Sequence, residues 1–199
     1  MKIHRYGEHA LLADLDDPHE VPVVRAALAA LDGVTDAVAG AQTVLVVFEP
    51  GHEAAVRAVL DRGDFAAAWT GDPPRSVTIP VRYDGPDLAA VADAVGLTPD
   101  EVVDLHCRGS YVVRFCGFAP GFAYLDGLDE RLHVPRRSDP RTSVPAGAVG
   151  IAGQFTGVYP RPSPGGWQLL GRTDLPLWDP AAPEPALLAP GTSVRFEAQ

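Results

Sequence analysis

Gly117-Phe118-Ala119-Pro120-Gly121-Phe122-Ala123-Tyr124-Leu125 decides the reading of the fold, because it alternates turn formers with aromatic rings. The texture persists downstream: residues 116–173 hold 10 glycines and 7 prolines. So many turn formers can mark disorder. Here they are interleaved with Phe118, Phe122, Tyr124, Phe155, Tyr159 and Trp167, whose apolar surface is worth burying. A closed or nearly closed β-barrel with many ordered loops fits this pattern better than a flexible tail. Leu187 to Phe196, with a turn at Pro190-Gly191, is expected to be its last strand.

Upstream of this stretch the chain reads as short alternating elements. Ile3 to Tyr6 and Ala10 to Leu15 are expected strands around a turn at Gly7-Glu8. Asp17-Pro18 opens a helix, since proline suits a first helical turn. Val24, Leu28 and Leu31 then share one face, and Gly33 sits where a C-cap belongs. Val34 to Val38 and Thr43 to Phe48 read as strands, and Glu53 to Leu60 as a second helix with Val56, Val59 and Leu60 inward. The order β-β-α-β-β-α makes a sheet covered by two helices on one side. Residues 70–76 form a polar Pro/Gly break, the expected linker. Beyond it come a strand from Ser76 to Tyr83 and a helix from Asp87 to Val95 with Gly96 at its end. Another helix starts at Thr98-Pro99-Asp100-Glu101, a capping box with proline in the first turn, and ends near His106. Two α+β units are expected, residues 1–75 and 77–199.

Composition narrows the function classes. The 199 residues carry a net charge of −10 and a pI near 4.9. Such a surface repels phosphate backbones and anionic lipid, so neither nucleic acid nor membrane is an expected partner. Lys2 is the only lysine, which excludes a Walker loop in its usual form. The cationic work falls to arginines, which bind carboxylate and phosphate bidentately. Cys107 and Cys116 match neither a redox pair nor a zinc knuckle, and the histidines lack ligand spacing, so no metal site is expected. No apolar run reaches about 18 residues, and the N-terminus turns polar at once; a cytoplasmic protein is expected.

Candidate site residues concentrate between Gly117 and Thr173. Phe118, Pro120 and Phe122 form a tight ring-flanked loop. Arg136, Arg137 and Arg141 stand on proline turns. Gln154 and Thr156 lie between glycines, and Gly165-Gly166-Trp167 leads into Arg172-Thr173. Each has a structural alternative. Gly-Pro-Phe loops make barrel corners, arginines beside proline are often solvated, Trp167 can be core, and Gln154 and Thr156 can satisfy loop backbone. His106, at a helix end, is either an acid–base group or a helix-dipole partner.

Gly117 to Leu125, Pro135-Arg136-Arg137, Val144-Pro145-Ala146-Gly147 and Ser163 to Thr173 together resemble the family that contains the B-type subunit of 5-oxoprolinase, allophanate hydrolase subunit 1 and the kinase inhibitor KipI. The likeness extends to Ile79-Pro80-Val81-Arg82-Tyr83, Gly85-Pro86-Asp87-Leu88, His106 and Pro190-Gly191, covering residues 77–199; the first 75 match in organisation. Two departures stand out. Gly153-Gln154-Phe155-Thr156-Gly157 occupies the place of a usual Gly-Ser-Gln-Thr-Gly, and Ala148 stands where serine is common. The resemblance implies an N-terminal ferredoxin-like α+β domain and a C-terminal cyclophilin-like β-barrel. It also implies a subunit-2 or C-type partner carrying a related barrel, with an A-type lactam-utilisation subunit beside it.

The function that follows from this resemblance is ATP-dependent opening of 5-oxoproline to glutamate by a multi-subunit enzyme, with ATP and Mg held by the complex and this chain inactive alone. In that reading Arg136, Arg141 and Arg172 supply cations for phosphate and substrate carboxylate. Gly165-Gly166 amides cradle an anion, Trp167 is an apolar wall, His106 does acid–base work, and Arg172 and Thr173 emerge together at a barrel rim. An allophanate or urea carboxyl-transfer subunit, and a KipI-like regulator of a histidine kinase, are the other readings.

Overall fold

The computed structural model describes residues 1–63 and 75–199. The chain divides into two compact units, Met1–Pro73 and Pro74–Gln199. Most of the expected linker, residues 70–74, lies outside the described residues.

In the first unit, β1 (Lys2–Arg5), β2 (Ala10–Asp14), β3 (Val34–Ala39) and β4 (Thr43–Phe48) form an antiparallel sheet in the order β1-β2-β4-β3. Val44, Val46 and Phe48 of β4 are buried at alternate positions, as the two-residue period of a strand requires. Against them pack α1 (Val21–Ala29), through Val21, Val24 and Leu28, and α2 (Glu53–Arg62), through Val56 and Leu60. In a β-α-β-β-α-β ferredoxin-like unit the outer strand beside β2 would come last; here it is β1, from the N-terminus, hairpinned to β2. Gly33 is not the cap of α1, which ends at Ala29. It lies in the turn entering β3 with φ 76°, and a side chain there would overlap the His52 ring.

The second unit is a barrel-like sheet. Its strands are β5 (Ser76–Val81), β6 (Tyr111–Cys116), β7 (Ala123–Asp126), β9 (Ala148–Ala152), β10 (Phe155–Val158), β12 (Gln168–Arg172) and β13 (Ser193–Ala198), in the order β12-β9-β10-β7-β6-β13-β5. β13 and β5 are parallel; the other neighbours are antiparallel. The two outer strands meet. Arg82, just past β5, exchanges backbone hydrogen bonds with Arg172 of β12, both 2.9 Å, and Gly85 and Asp87 continue the seam onto Leu170 and Leu169. This nearly closes the sheet and hides its edges. The final strand begins only at Ser193, not Leu187, because Gly191 at φ 89° turns the chain into it.

Ile79, Val81, Tyr111, Val113, Leu125, Val149, Ile151, Val158, Leu170, Val194 and Phe196 fill the interior. Helices α3 (Leu88–Val95) and α4 (Pro99–Arg108) pack on this core through Val91, Ala92, Val102 and His106. The capping box of α4 is formed: Glu101 N–H donates to Thr98 Oγ1 at 3.3 Å and Thr98 N–H to Glu101 Oε2 at 2.8 Å. Strand β9 is buried at every position. Its large residues, Val149 and Ile151, face inward, and Ala148 and Ala152 lie under a second apolar cluster on the outside. That cluster, with Phe122, Val144, Tyr159, Trp167 and Leu169, includes one residue, Val144, of a two-stranded ribbon of β8 (Arg141–Val144) and β11 (Ser163–Gly165). Among the described residues, no helix is long and apolar enough to cross a membrane.

Candidate functional site

Besides the buried Arg114–Asp126 ion pair, whose Arg114 Nε and Nη2 find no partner among the described residues, two polar networks are buried in the second unit. The inner one centres on His106, which has no exposed surface. Thr156 donates its hydroxyl to the Gly150 carbonyl at 3.1 Å, so its oxygen must accept from His106 Nε2 at 2.9 Å. His106 Nδ1 is then an acceptor for the Tyr83 hydroxyl at 2.6 Å, and Tyr83 in turn accepts from the Cys107 thiol at 3.4 Å. The Tyr111 hydroxyl donates to the His106 carbonyl at 2.7 Å, and the Phe196 ring lies 4.4 Å from the imidazole. Burial pushes the imidazole pKa down to about 3, so the ring is neutral. Burial, and next the bond from Cys107, push the Tyr83 phenol up. This corrects two expectations. His106 offers no face to a substrate, and Thr156 spends its hydroxyl inside the barrel, because both nitrogens of the ring and both roles of the hydroxyl are taken.

The outer network centres on Asp87, whose side chain is 5% exposed. Asp87 precedes α3, but its carboxylate does not cap that helix. Oδ2 accepts the Leu169 N–H at 2.7 Å, while Oδ1 is shared by Arg137 Nη1 at 3.0 Å and Arg141 Nη2 at 2.8 Å. Burial alone would raise this carboxyl. The Arg141 hydrogen bond, the Leu169 amide and the charges of Arg141 and Arg137 outweigh it and hold the group below the usual carboxylate range. Two guanidiniums on one carboxylate leave a positive surplus. Correspondingly, Arg141 Nη1 is buried and finds no hydrogen-bond partner among the described residues, and the same is true of Ser163 Oγ on the same ribbon.

Aromatic rings adjoin this cluster. Gly165 lies opposite Arg141 in the ribbon, and a side chain on it would overlap the Tyr159 hydroxyl. Burial raises the Tyr159 phenol, and the Trp167 backbone and the charges of Arg136 and Arg141 oppose that rise. Phe118 is 60% exposed, and its φ of 67° lies where a bulky residue is strained. Its ring meets Phe122 edge-on at 5.3 Å and Tyr159 at 6.3 Å.

The structure therefore brings Arg141, Gly165, Phe118 and Phe122 together around Tyr159, while Arg136 stands exposed just before Arg137. Gly166 joins them, because its carbonyl accepts the Arg137 N–H at 2.8 Å. Trp167 is buried and edge-on to Phe122 at 5.3 Å, a core ring rather than an exposed wall. Pro120 is exposed in the Phe118 loop, whose Gly121 packs against Trp178 and Pro160. The other candidates lie elsewhere. Arg172 is exposed and grips Asp84 with Nε at 3.0 Å and Nη2 at 2.8 Å. Thr173 does not share its rim position: it is buried, donates its N–H to Gly147 at 2.8 Å and accepts the Leu175 N–H at 3.2 Å. Gln154 is exposed in the two-residue turn between β9 and β10.

Asp87, Tyr159 and Ser163 were not among the expected site residues. Asp87 reads in sequence as a helix start, and nothing local reveals that its carboxylate turns to residues some 50 and 82 positions away. Tyr159 reads in sequence only as apolar surface.

Comparison with known proteins gives the context. Residues 1–188 match the model of the carboxyltransferase domain, subdomain C and D. The chain is 45% identical over 204 residues to the B subunit of 5-oxoprolinase from Escherichia coli O157:H7, covering 97% of this chain and 94% of that one. It is 54% identical over 125 residues to the B subunit of 5-oxoprolinase from Bacillus subtilis strain 168, covering 61% of this chain and 52% of that one. Among solved structures, TTHA0988 superposes with a TM-score of 0.81 at 36% identity over 96% of this chain, which spans 40% of that longer protein. With a model match over nearly its whole length, the chain belongs to the carboxyltransferase-domain family, subdomain C and D.

Proposed function

We propose that this chain is the B subunit of an ATP-dependent 5-oxoprolinase, which opens the cyclic amide of 5-oxoproline to give glutamate. The observation that carries this reading is the 45% identity to the B subunit of a 5-oxoprolinase over almost the full length of both chains. The site is compatible with it. The substrate is a small ring bearing one carboxylate, and the Arg141–Tyr159 region pairs surplus positive charge with aromatic edges. In this reading the first unit is a ferredoxin-like variant with its outer strand supplied from the N-terminus, and the second is a cyclophilin-like barrel.

A lactam carbonyl is a poor electrophile, and phosphorylation of its oxygen would convert that oxygen into a leaving group. Lys2 is the chain's only lysine, and no three His, Cys, Asp or Glu side chains are grouped for a metal ion among the described residues. In this reading nucleotide and Mg are held by the complex. The chain's own contribution is to bind and orient the substrate carboxylate. A C-type subunit with a related barrel, and an A-type lactam-utilisation subunit, are the proposed partners, and the cytoplasm, which holds ATP, is the proposed location. Exposed Phe118, Val112 and Trp178 on the second unit supply apolar surface for docking.

Purification of the chain alone and with co-expressed C- and A-type subunits tests this. ATP-dependent glutamate formation from 5-oxoproline is expected only from the assembled complex. A complex that assembles and turns over allophanate but not 5-oxoproline would replace the reading.

A further inference from the structure

A buried donor without a partner is costly unless something completes it. A guanidinium nitrogen shielded from water without a partner forfeits the hydrogen bond it makes with water in the unfolded chain. Arg141 Nη1 is in that condition, although Asp87 is close enough to bind Nη2 of the same side chain at 2.8 Å. The reason is that Asp87 is already occupied: one oxygen holds the Leu169 amide, and the other serves Arg137 and Arg141 jointly. The excess charge is also unusual for a chain with a net charge of −10. An anion is the group that would balance it.

We infer that Asp87 is a positioning residue: it fixes Arg137 and Arg141, both part-exposed, as a fork whose surplus charge receives the carboxylate of the substrate. This rests on the reading of that substrate as a carboxylate-bearing cyclic amide. The Asp87–Arg137–Arg141 triad carries a surplus of one charge, matching a monoanion, which favours a carboxylate over a phosphate chain. Asp87 also anchors the arginines to the barrel seam through both its backbone and its side chain, since its N–H donates to the Leu169 carbonyl at 3.1 Å. Rigid support of this kind is what a precise binding geometry requires.

The test uses the assembled complex and compares 5-oxoproline with 2-pyrrolidinone, the same lactam without the carboxylate. Asp87→Asn keeps an acceptor for the Leu169 amide but removes the charge that holds the fork. It should lower kcat/KM for 5-oxoproline by about ten- to a hundredfold, mainly through KM. The value for 2-pyrrolidinone and the KM for ATP should stay within about twofold. Arg141→Gln should give the same split, and it carries the test alone if Asp87→Asn fails to fold. Parallel losses on both lactams, or a raised KM for ATP, would overturn the inference. If the wild-type complex does not open 5-oxoproline, the functional reading fails separately. Thermal-shift titration of the full chain with 5-oxoproline and with inorganic phosphate then decides the site. Stabilisation by 5-oxoproline alone, lost in Arg141→Gln, upholds a carboxylate site; stabilisation by phosphate alone, or by neither, overturns it.

Discussion

The inside of the barrel and the ribbon over its outer face each bury a polar network, and they differ in completeness. Around His106 the donors and acceptors close on one another, from the Cys107 thiol through Tyr83, the imidazole and Thr156 to the Gly150 carbonyl. Around Asp87 the arginines exceed the carboxylate, and Arg141 Nη1 and Ser163 Oγ are left over. A complete buried network is neutral, rigid and specific, and it has nothing to offer a ligand. An incomplete one stores a cost that a ligand can relieve. The difference separates architecture from site within one unit of this chain.

The largest effect is expected from breaking the complete network. His106→Ala empties a fully enclosed position and orphans Tyr83 and Thr156, so it should cost about 3 kcal/mol or more, read as a lower denaturation midpoint. A chain that tolerates it with unchanged stability would show that the inner network does not hold the barrel.

A pH titration sharpens the same point. In the unfolded chain the imidazole takes up a proton as pH falls through about 6.5, whereas in the folded chain it does not until about 3. Its contribution is therefore fully present above about pH 6.5 and is lost as pH falls toward 3. The loss is up to about 1.4 kcal/mol per pH unit. Asp87, held below the usual carboxylate range, also loses stability on acidification, but only as pH falls through that range. Denaturation at pH 7 and pH 5 should thus show a drop in the wild type that is much smaller in His106→Gln.

Smaller effects are expected at the surface. Phe118→Gly relieves a left-handed backbone and should raise stability by up to about 1 kcal/mol while weakening substrate binding through loss of the ring. A fall in stability would mean that the ring's contacts with Phe122 and Tyr159 outweigh the strain. Arg172→Ala should change the melting temperature by no more than about a degree or two and leave both KM values unchanged, because its pair with Asp84 is exposed.

Much of the architecture was legible in sequence because it rests on local rules. The capping box at Thr98, the α2 face with Val56 and Leu60, and the β4 alternation appear where the spacing places them. The Gly- and Pro-rich stretch does form the barrel strands, with rings filling its outer cluster. Gly33 shows where local rules mislead: a glycine after a helix reads as a cap, but close approach of His52 explains it equally well. The site was half legible. Arg141 and Gly165 face each other across the ribbon, whereas the surroundings of Asp87, His106 and Thr173 depend on burial and on partners far away in the chain. No periodicity encodes which of two buried polar groups will be left without a partner.

The most direct test sets the two networks against each other in the co-expressed complex, with His106→Gln and Arg141→Gln measured side by side for melting temperature and for KM toward the lactam substrate. The account predicts that His106→Gln melts several degrees lower with its KM near wild type, and that Arg141→Gln raises KM about tenfold or more with a smaller change in melting temperature. A raised KM or a lost pH–rate limb in His106→Gln, with Arg141→Gln kinetically silent, would contradict it.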